Sequence, residues 1–237
     1  MSILAGWFNW ALVDPGPPNA VNGGINGGKG MVPHSAEGDW ETLQDLHDFH
    51  WARGTAPPGK RASWGATNLK DGRFVQHYSV WAQTWTSGAP YPNDNFFAFE
   101  NEGSAGEPLT EKQTANIIRV GRELMALQLW TPRRPINSAD DKASLYEHRE
   151  MVRFGAASTS CPSDRIPWGI IVPALKKEEN EMQSFLCWDT TNKRVMFVGP
   201  AGPVWITQQT TANELSLTFG PMKIALSGEA LKAIGAK

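Results

Sequence analysis

The residues best suited to chemistry stand in two clusters and one outlier. Glu147-His148-Arg149-Glu150 is followed, thirteen positions after its histidine, by Cys161-Pro162-Ser163-Asp164-Arg165-Ile166-Pro167-Trp168, and His34 lies far upstream in Val32-Pro33-His34-Ser35-Ala36-Glu37-Gly38. Two imidazoles and one thiolate make a complete set of protein ligands for a zinc ion that keeps its fourth position open, which is the arrangement of a hydrolytic site and not of a structural one. The expected ligands are therefore His34, His148 and Cys161, and the expected product is an enzyme. Other histidines compete. His47 and His50 are three apart on one predicted helix, a spacing that metal sites use, but they have no third ligand nearby and are expected to be core or surface residues. His77 sits in a predicted hairpin and is expected to pack or bond locally.

The elements that must position these groups can be read from pattern. Residues 14–30 are crowded with Pro, Gly and Asn and are expected to form a surface loop without regular structure. The short apolar run Met31-Val32 then delivers His34 at a strand end. Asp39 is placed to cap a helix in which Trp40, Leu43, Leu46 or His47, and His50 recur at three-to-four spacing. Lys70-Asp71-Gly72, flanked by two β-prone runs, predicts a hairpin, because Asp-Gly accepts the positive φ of a tight turn. Phe96-Phe97-Ala98-Phe99-Glu100-Asn101-Glu102 reads as a buried strand turning polar at its end, with Glu100 and Glu102 on one side. Thr110 and Gln113 form a capping box, and Ile117, Val120, Gly121, Leu124 and Leu127 follow at helical spacing, predicting a helix over about 111–128. The charged run at 176–181 is expected to be a solvated linker or the exposed end of a helix. Beyond it, Phe185–Asp189, a Thr190–Lys193 turn, Arg194–Gly199 and Gly202–Thr207 read as strands.

The composition narrows the function classes. With 237 residues, a formal net charge of -2 and no basic stripe, the chain has no general attraction to phosphate, so nucleic acid is not an expected partner. Eleven tryptophans against three tyrosines offer flat apolar faces, most of them for core packing. The apolar opening lacks a basic region before it and runs into Asp14-Pro15-Gly16, so it reads poorly as a signal peptide, and no run has the length of a membrane span. The expectation is a protein made in the cytoplasm. Cys161 and Cys187 could pair only if the tail folded back onto the site, so they are read as unpaired, and a disulfide would also remove the third ligand.

Taken together, these motifs resemble the zinc-dependent N-acetylmuramoyl-L-alanine amidases shared by phage lysins, cell-wall recycling amidases and peptidoglycan-recognition proteins. The resemblance covers about residues 30–172. It rests on V-P-H-S-A-E-G around His34, the S-W…L-K-D-G-R-F-V-Q-H-Y hairpin, Trp85-Thr86-Ser87-Gly88, F-E-N-E-G, the G-E-P-L-T-E-K-Q helix start, E-H-R-E, and T-S-C-P-S-D-R-I-P-W, in the family's order.

The resemblance implies an α/β fold, a mixed central sheet flanked by helices, with zinc at the floor of an open groove and a small β-rich C-terminal tail outside it. The resemblance stops near residue 172, and the change to strand-forming sequence after the charged run divides the chain into a catalytic domain over 1–175 and a small module over 183–237, which binds the wall, mediates dimerisation or packs on the catalytic domain. The resemblance implies hydrolysis of the amide between N-acetylmuramic acid and the L-alanine of the stem peptide, with bacterial peptidoglycan as partner and a phage endolysin, acting on the wall after release, as the nearest type. A non-catalytic peptidoglycan-binding protein of the same fold is the alternative; those binders typically lose the cysteine ligand. By family position Glu100 is the general base, with Glu102 the lesser candidate, and Thr159 either donates a hydrogen bond to the oxyanion or only shapes the loop around Cys161. The chain departs from the common pattern at Gly65 and Thr86, where relatives often carry histidine, and at Trp64, where some carry tyrosine. Trp64 and Trp85 are candidates for lining the substrate groove, with burial in the core as the other reading.

Overall fold

The computed structural model describes residues 3–4, 6–57, 59–128 and 130–182, and in the tail the strand segments 185–189, 194–199, 202–206, 215–219 and 222–226; among these, side chains are described from 6 to 177. The chain divides into two compact units, Met1–Lys176 and Lys177–Lys237.

In chain order the first unit contains β1 (Ile3–Leu4), β2 (Trp7–Phe8), β3 (Leu12–Val13), β4 (Val21–Ile25), β5 (Met31–Ser35), α1 (Leu43–Thr55), β6 (Ala66–Asn68), β7 (Phe74–Gln76), β8 (Ala82–Thr84), α2 (Pro90–Asn95), β9 (Phe97–Asn101) and α3 (Glu111–Gln128). A 3-10 segment, His148–Phe154, and α4 (Trp168–Met182) follow. The central sheet has the order β3-β7-β6-β9-β5. It is mixed: β6 and β7 are antiparallel, while β3 runs parallel to β7 and both β6 and β5 run parallel to β9.

Alternation along the strands gives the sheet two different faces. Met31, Ala66, Phe74, Phe97 and Phe99 join Ile117, Val120 and Leu124 of α3 and Ile171 and Leu175 of α4 in one apolar cluster. The neighbouring positions Val32 and Ala98 pack instead with Phe96, Tyr146 and Met151, and Val75 packs with Leu46 of α1. Helices therefore flank the sheet, as expected.

Helix α3 begins where the capping box predicts. The Gln113 N–H donates to Thr110 Oγ1 at 3.1 Å and the Thr110 N–H to Gln113 Oε1 at 3.0 Å, satisfying donors that a helix start leaves unpaired. At Gly121 an added Cβ would lie 2.8 Å from Leu175 Cδ2, so the missing side chain is what lets α4 approach. The predicted hairpin is β6-β7, with Gly72 at φ +95 in its turn.

Two local expectations are corrected. Residues 14–30 are not wholly irregular, because β4 pairs antiparallel with β8 through a bulged register. The cap of α1 is Thr42 and not Asp39: Thr42 Oγ1 accepts the Asp45 N–H while the Asp45 carboxylate accepts the Thr42 N–H, and Asp39 instead pairs with Lys70 at 2.7 Å.

In the second unit β10 (Phe185–Asp189), β11 (Arg194–Gly199) and β12 (Gly202–Ile206) form an antiparallel sheet, and β13 (Leu215–Phe219) pairs with β14 (Met222–Leu226). The charged run at 176–181 falls within α4. The Thr190–Lys193 turn and the side chain of Cys187 lie outside what is described; Cys161 is a free cysteine. Among the described residues, no helix is long and apolar enough to cross a membrane.

Candidate metal centre and active site

The site is built on two adjacent parallel strands. His34 on β5 stands in register with Glu100 on β9, and Thr67 on β6 is Glu100's partner on the other side. Residues paired in a parallel sheet project from the same face, so the His34 imidazole and the Glu100 carboxyl emerge side by side, with Nδ1 and Oε1 3.7 Å apart. Asn101 locks this end of the pair by donating to His34 O at 2.7 Å.

The other two groups arrive on irregular chain. A bridge from Met31 to Leu145 and the Tyr146 N–H to Met31 O bond lay residues 145–146 along β5. This delivers His148 beside His34, with ring centroids 4.5 Å apart. Glu147, 2 % exposed, holds that turn: its carboxylate accepts from Trp168 Nε1 and from Arg149 Nε, both at 2.6 Å. The Arg149 N–H donates to Cys161 O at 2.8 Å, which ties the cysteine loop to the histidine loop. Cys161 Sγ accepts the Ser35 N–H at 3.2 Å. Arg165, 4 % exposed, donates to Ser35 Oγ and to the backbone carbonyls of Asn101, Glu102, Gly103 and Glu107, pinning the ends of β5 and β9 together.

As a result, ligand atoms of His34, His148 and Cys161 all lie within 4.8 Å of one another. This fits a metal ion on grounds beyond distance. His34 Nε2 is buried and has no hydrogen-bond partner, a cost that a cation bound to its lone pair would remove. Burial, with His148 as neighbour, holds the His34 pKa well below its ordinary value, and burial also lowers that of His148, so both imidazoles are in the neutral form that ligates. Burial, and then Glu100, push the Cys161 thiol up to about 12; a divalent cation is what turns such a thiol into a thiolate.

These groups line a cavity of about 220 Å³ together with Glu100, Trp40, Phe49, Arg53, Trp64 and Thr86. Burial raises the Glu100 pKa to about 8, opposed by Arg53 and reinforced by Glu37, and Glu100 Oε2 has no partner. Glu102 differs, because β9 ends at Asn101. Its carboxylate accepts the backbone N–H groups of Trp40 at 3.0 Å and Lys70 at 2.7 Å, the role of a structural clamp.

Trp64 lines the cavity at 4 % exposure, its indole N–H donating to Thr67 Oγ1 at 2.8 Å. Trp85 is not in the cavity lining; its indole N–H donates to Asn22 Oδ1 at 2.7 Å and Arg61 lies over its ring. Thr159 is not in the lining either, and its Oγ1 accepts the Cys161 N–H at 3.2 Å. At Gly65 an added Cβ would come within 2.3 Å of Phe97 Cε2, so the packing of Phe97 excludes any side chain there. The sequence reading missed Arg53, Trp40 and Phe49 on the cavity wall and Arg165 beneath it. Arg165 sits in a motif that could have flagged it; Arg53 had no such signal.

No protein-family model and no curated protein matches the sequence. Solved structures do. The endolysin N-acetylmuramoyl-L-alanine amidase LysCS from Clostridium intestinale URNW is 20% identical with a TM-score of 0.50, over 72% of this chain and 98% of that one. A selenomethionine derivative of AmpD is 16% identical with a TM-score of 0.52, over 74% and 99%. A mutant endolysin from Bacillus subtilis is 17% identical with a TM-score of 0.50, over 70% and 97%. The chain thus has the fold of solved N-acetylmuramoyl-L-alanine amidases and endolysins.

Proposed function

We propose that this protein is a zinc-dependent peptidoglycan hydrolase that cleaves the amide between N-acetylmuramic acid and L-alanine, as a phage endolysin released onto its host's wall. The observation that carries this reading is the convergence of His34, His148 and Cys161, drawn from distant parts of the chain, at a cavity that also holds a buried, partly unpartnered carboxyl.

An amide is a poor electrophile, and its hydrolysis near neutral pH needs an activated water and a stabilised oxyanion. When bound by His34, His148 and Cys161, zinc supplies Lewis acidity toward both. Glu100 does the proton work: Oε2, which makes no bond within the protein, takes the proton of the attacking water and returns it to the leaving alanine nitrogen. Burial suits Glu100 to this, since it raises proton affinity toward the working pH. Trp64 offers an apolar wall against the substrate. For Thr159, the bond from the Cys161 N–H favours shaping of the ligand loop over contact with the oxyanion. Residues 183–237 are read as a small module that binds the wall, mediates dimerisation or packs on the catalytic domain.

The test is to add purified protein to a cell-wall suspension. The reading predicts clearing with release of new alanine amino termini, lost on treatment with a chelator and restored by zinc. Binding to walls without new amino termini would replace it with the non-catalytic alternative. Deleting residues 183–237 separates the readings of the tail: weaker binding to intact walls with turnover of a soluble muropeptide kept marks wall binding, and loss of that turnover marks packing on the catalytic domain.

A further inference from the structure

Arg53 stands in the last turn of α1 and lines the same cavity as His34, Glu100, His148 and Cys161. The nearby cationic side chains are committed elsewhere: Arg149 to Glu147 and Asp164, Arg134 to Glu150, Arg165 to Ser35 and backbone carbonyls. Arg53 makes no ion pair among the described residues. A cation in a last turn interacts favourably with the helix dipole, but a lysine or an arginine pointing away would serve equally. What the helix does not require is a planar guanidinium on the cavity wall, and that group matches a carboxylate with two parallel hydrogen bonds.

The substrate of the proposed amidase narrows which carboxylate this can be. The lactyl carboxyl of the sugar is consumed in the scissile amide, and the alanine carboxyl is consumed in the bond to the next residue. The first position that can carry a free carboxylate is therefore on the peptide side, one residue past the alanine. We propose that Arg53 is a specificity residue that receives the first free carboxylate beyond the alanine of the stem peptide, an inference that rests on the amidase reading. Beside the ligand cluster and the adjacent Glu100, the lining is apolar at Trp40, Phe49 and Trp64, which leaves Arg53 as its cationic side chain.

The experiment compares N-acetylmuramoyl-L-alanyl-D-glutamic acid with its neutral diamide. The wild-type protein is expected to favour the acid by about tenfold or more in kcat/KM, the scale of a charged hydrogen-bonded pair. Arg53→Gln is expected to lower kcat/KM for the acid at least tenfold more than for the diamide, chiefly through KM, and Arg53→Lys is expected to keep part of the preference. Equal turnover of acid and diamide by the wild type, or equal losses on both in Arg53→Gln, would overturn the carboxylate role while leaving the amidase reading intact. Cleavage of neither compound would also overturn it; only the added absence of new alanine amino termini from whole walls would bring down the amidase reading as well.

Discussion

Two groups of histidines sit a short way apart on the same side of the sheet, and only one is arranged for chemistry. Around Asp14, His47 and His77 have polar partners. His47 Nδ1 is 2.7 Å from Asp14 Oδ1; His77 Nδ1 donates to Asp14 O at 2.9 Å while its Nε2 accepts from Thr67 Oγ1 at 2.9 Å. His50 stacks on His77 at 4.0 Å and meets Trp64 and Tyr78 edge-on, so its unpartnered Nε2 is enclosed by rings. In the other group, His34 Nε2 and Glu100 Oε2 lack partners beside a cavity, with a cysteine sulfur in reach. The contrast teaches that convergence of free lone pairs on open space, and not the number of histidines, is what makes a group able to hold a metal ion.

The largest expected effect separates the two groups by rate. Glu100→Gln should retain zinc and fold but lose turnover by about 10²–10⁴-fold, the usual share of general acid–base catalysis. Near-normal release of alanine amino termini by this variant would remove Glu100 from the mechanism. Next, Cys161→Ser should lose zinc and thermal stability together, by about 2.7 kcal/mol where free zinc is 100-fold above the wild-type dissociation constant. Its deficit should shrink in chelator, whereas His47→Gln should leave zinc content unchanged; zinc loss in the latter would merge the two groups.

The Asp14 cluster should show itself in acid instead. Burial lowers the His77 pKa to about 4, against the upward pull of Asp14, and lowers that of His50 to about 2. Both folded values lie below the ordinary 6.5, so the unfolded chain binds more protons at lower pH. The stabilisation is complete above about pH 6.5 and is lost as pH falls from there toward 4, at up to about 1.4 kcal/mol per pH unit for each histidine. His77→Gln should flatten the denaturant-derived stability profile in that window by about one proton; an unchanged slope would mean that His77 titrates normally. The smallest effect is expected at Thr159→Val, which should change the rate less than about threefold, because its Oγ1 accepts the Cys161 N–H and does not line the cavity. A loss of a hundredfold would reinstate the oxyanion role.

Much of this was legible where local rules and tertiary structure agree. The Thr110-Gln113 box and the Asp71-Gly72 turn mark their elements because the same residues satisfy the backbone locally. Strand β4 was not legible, since residues 14–30 carry turn-forming composition and their pairing with β8 is decided by distant residues. Asp39 and Thr42 are both good caps by type, and the choice was settled by Lys70, which takes Asp39. Strand alternation puts Glu100 and Glu102 on one side, but the chain leaves the strand after Asn101 and turns at Gly103, φ +110, so that Glu102 goes to backbone donors. Arg53 was invisible because nothing local distinguishes it from any arginine at the end of a helix; only the cavity does.

The most direct test is anomalous diffraction at the zinc edge from crystals of the zinc-loaded protein. The account predicts a single strong peak about 2.0–2.1 Å from a nitrogen of His34 and of His148 and about 2.3 Å from Cys161 Sγ, with no fourth protein ligand. A peak located instead among His47, His50 and His77, or closed by a fourth protein side chain, would contradict it.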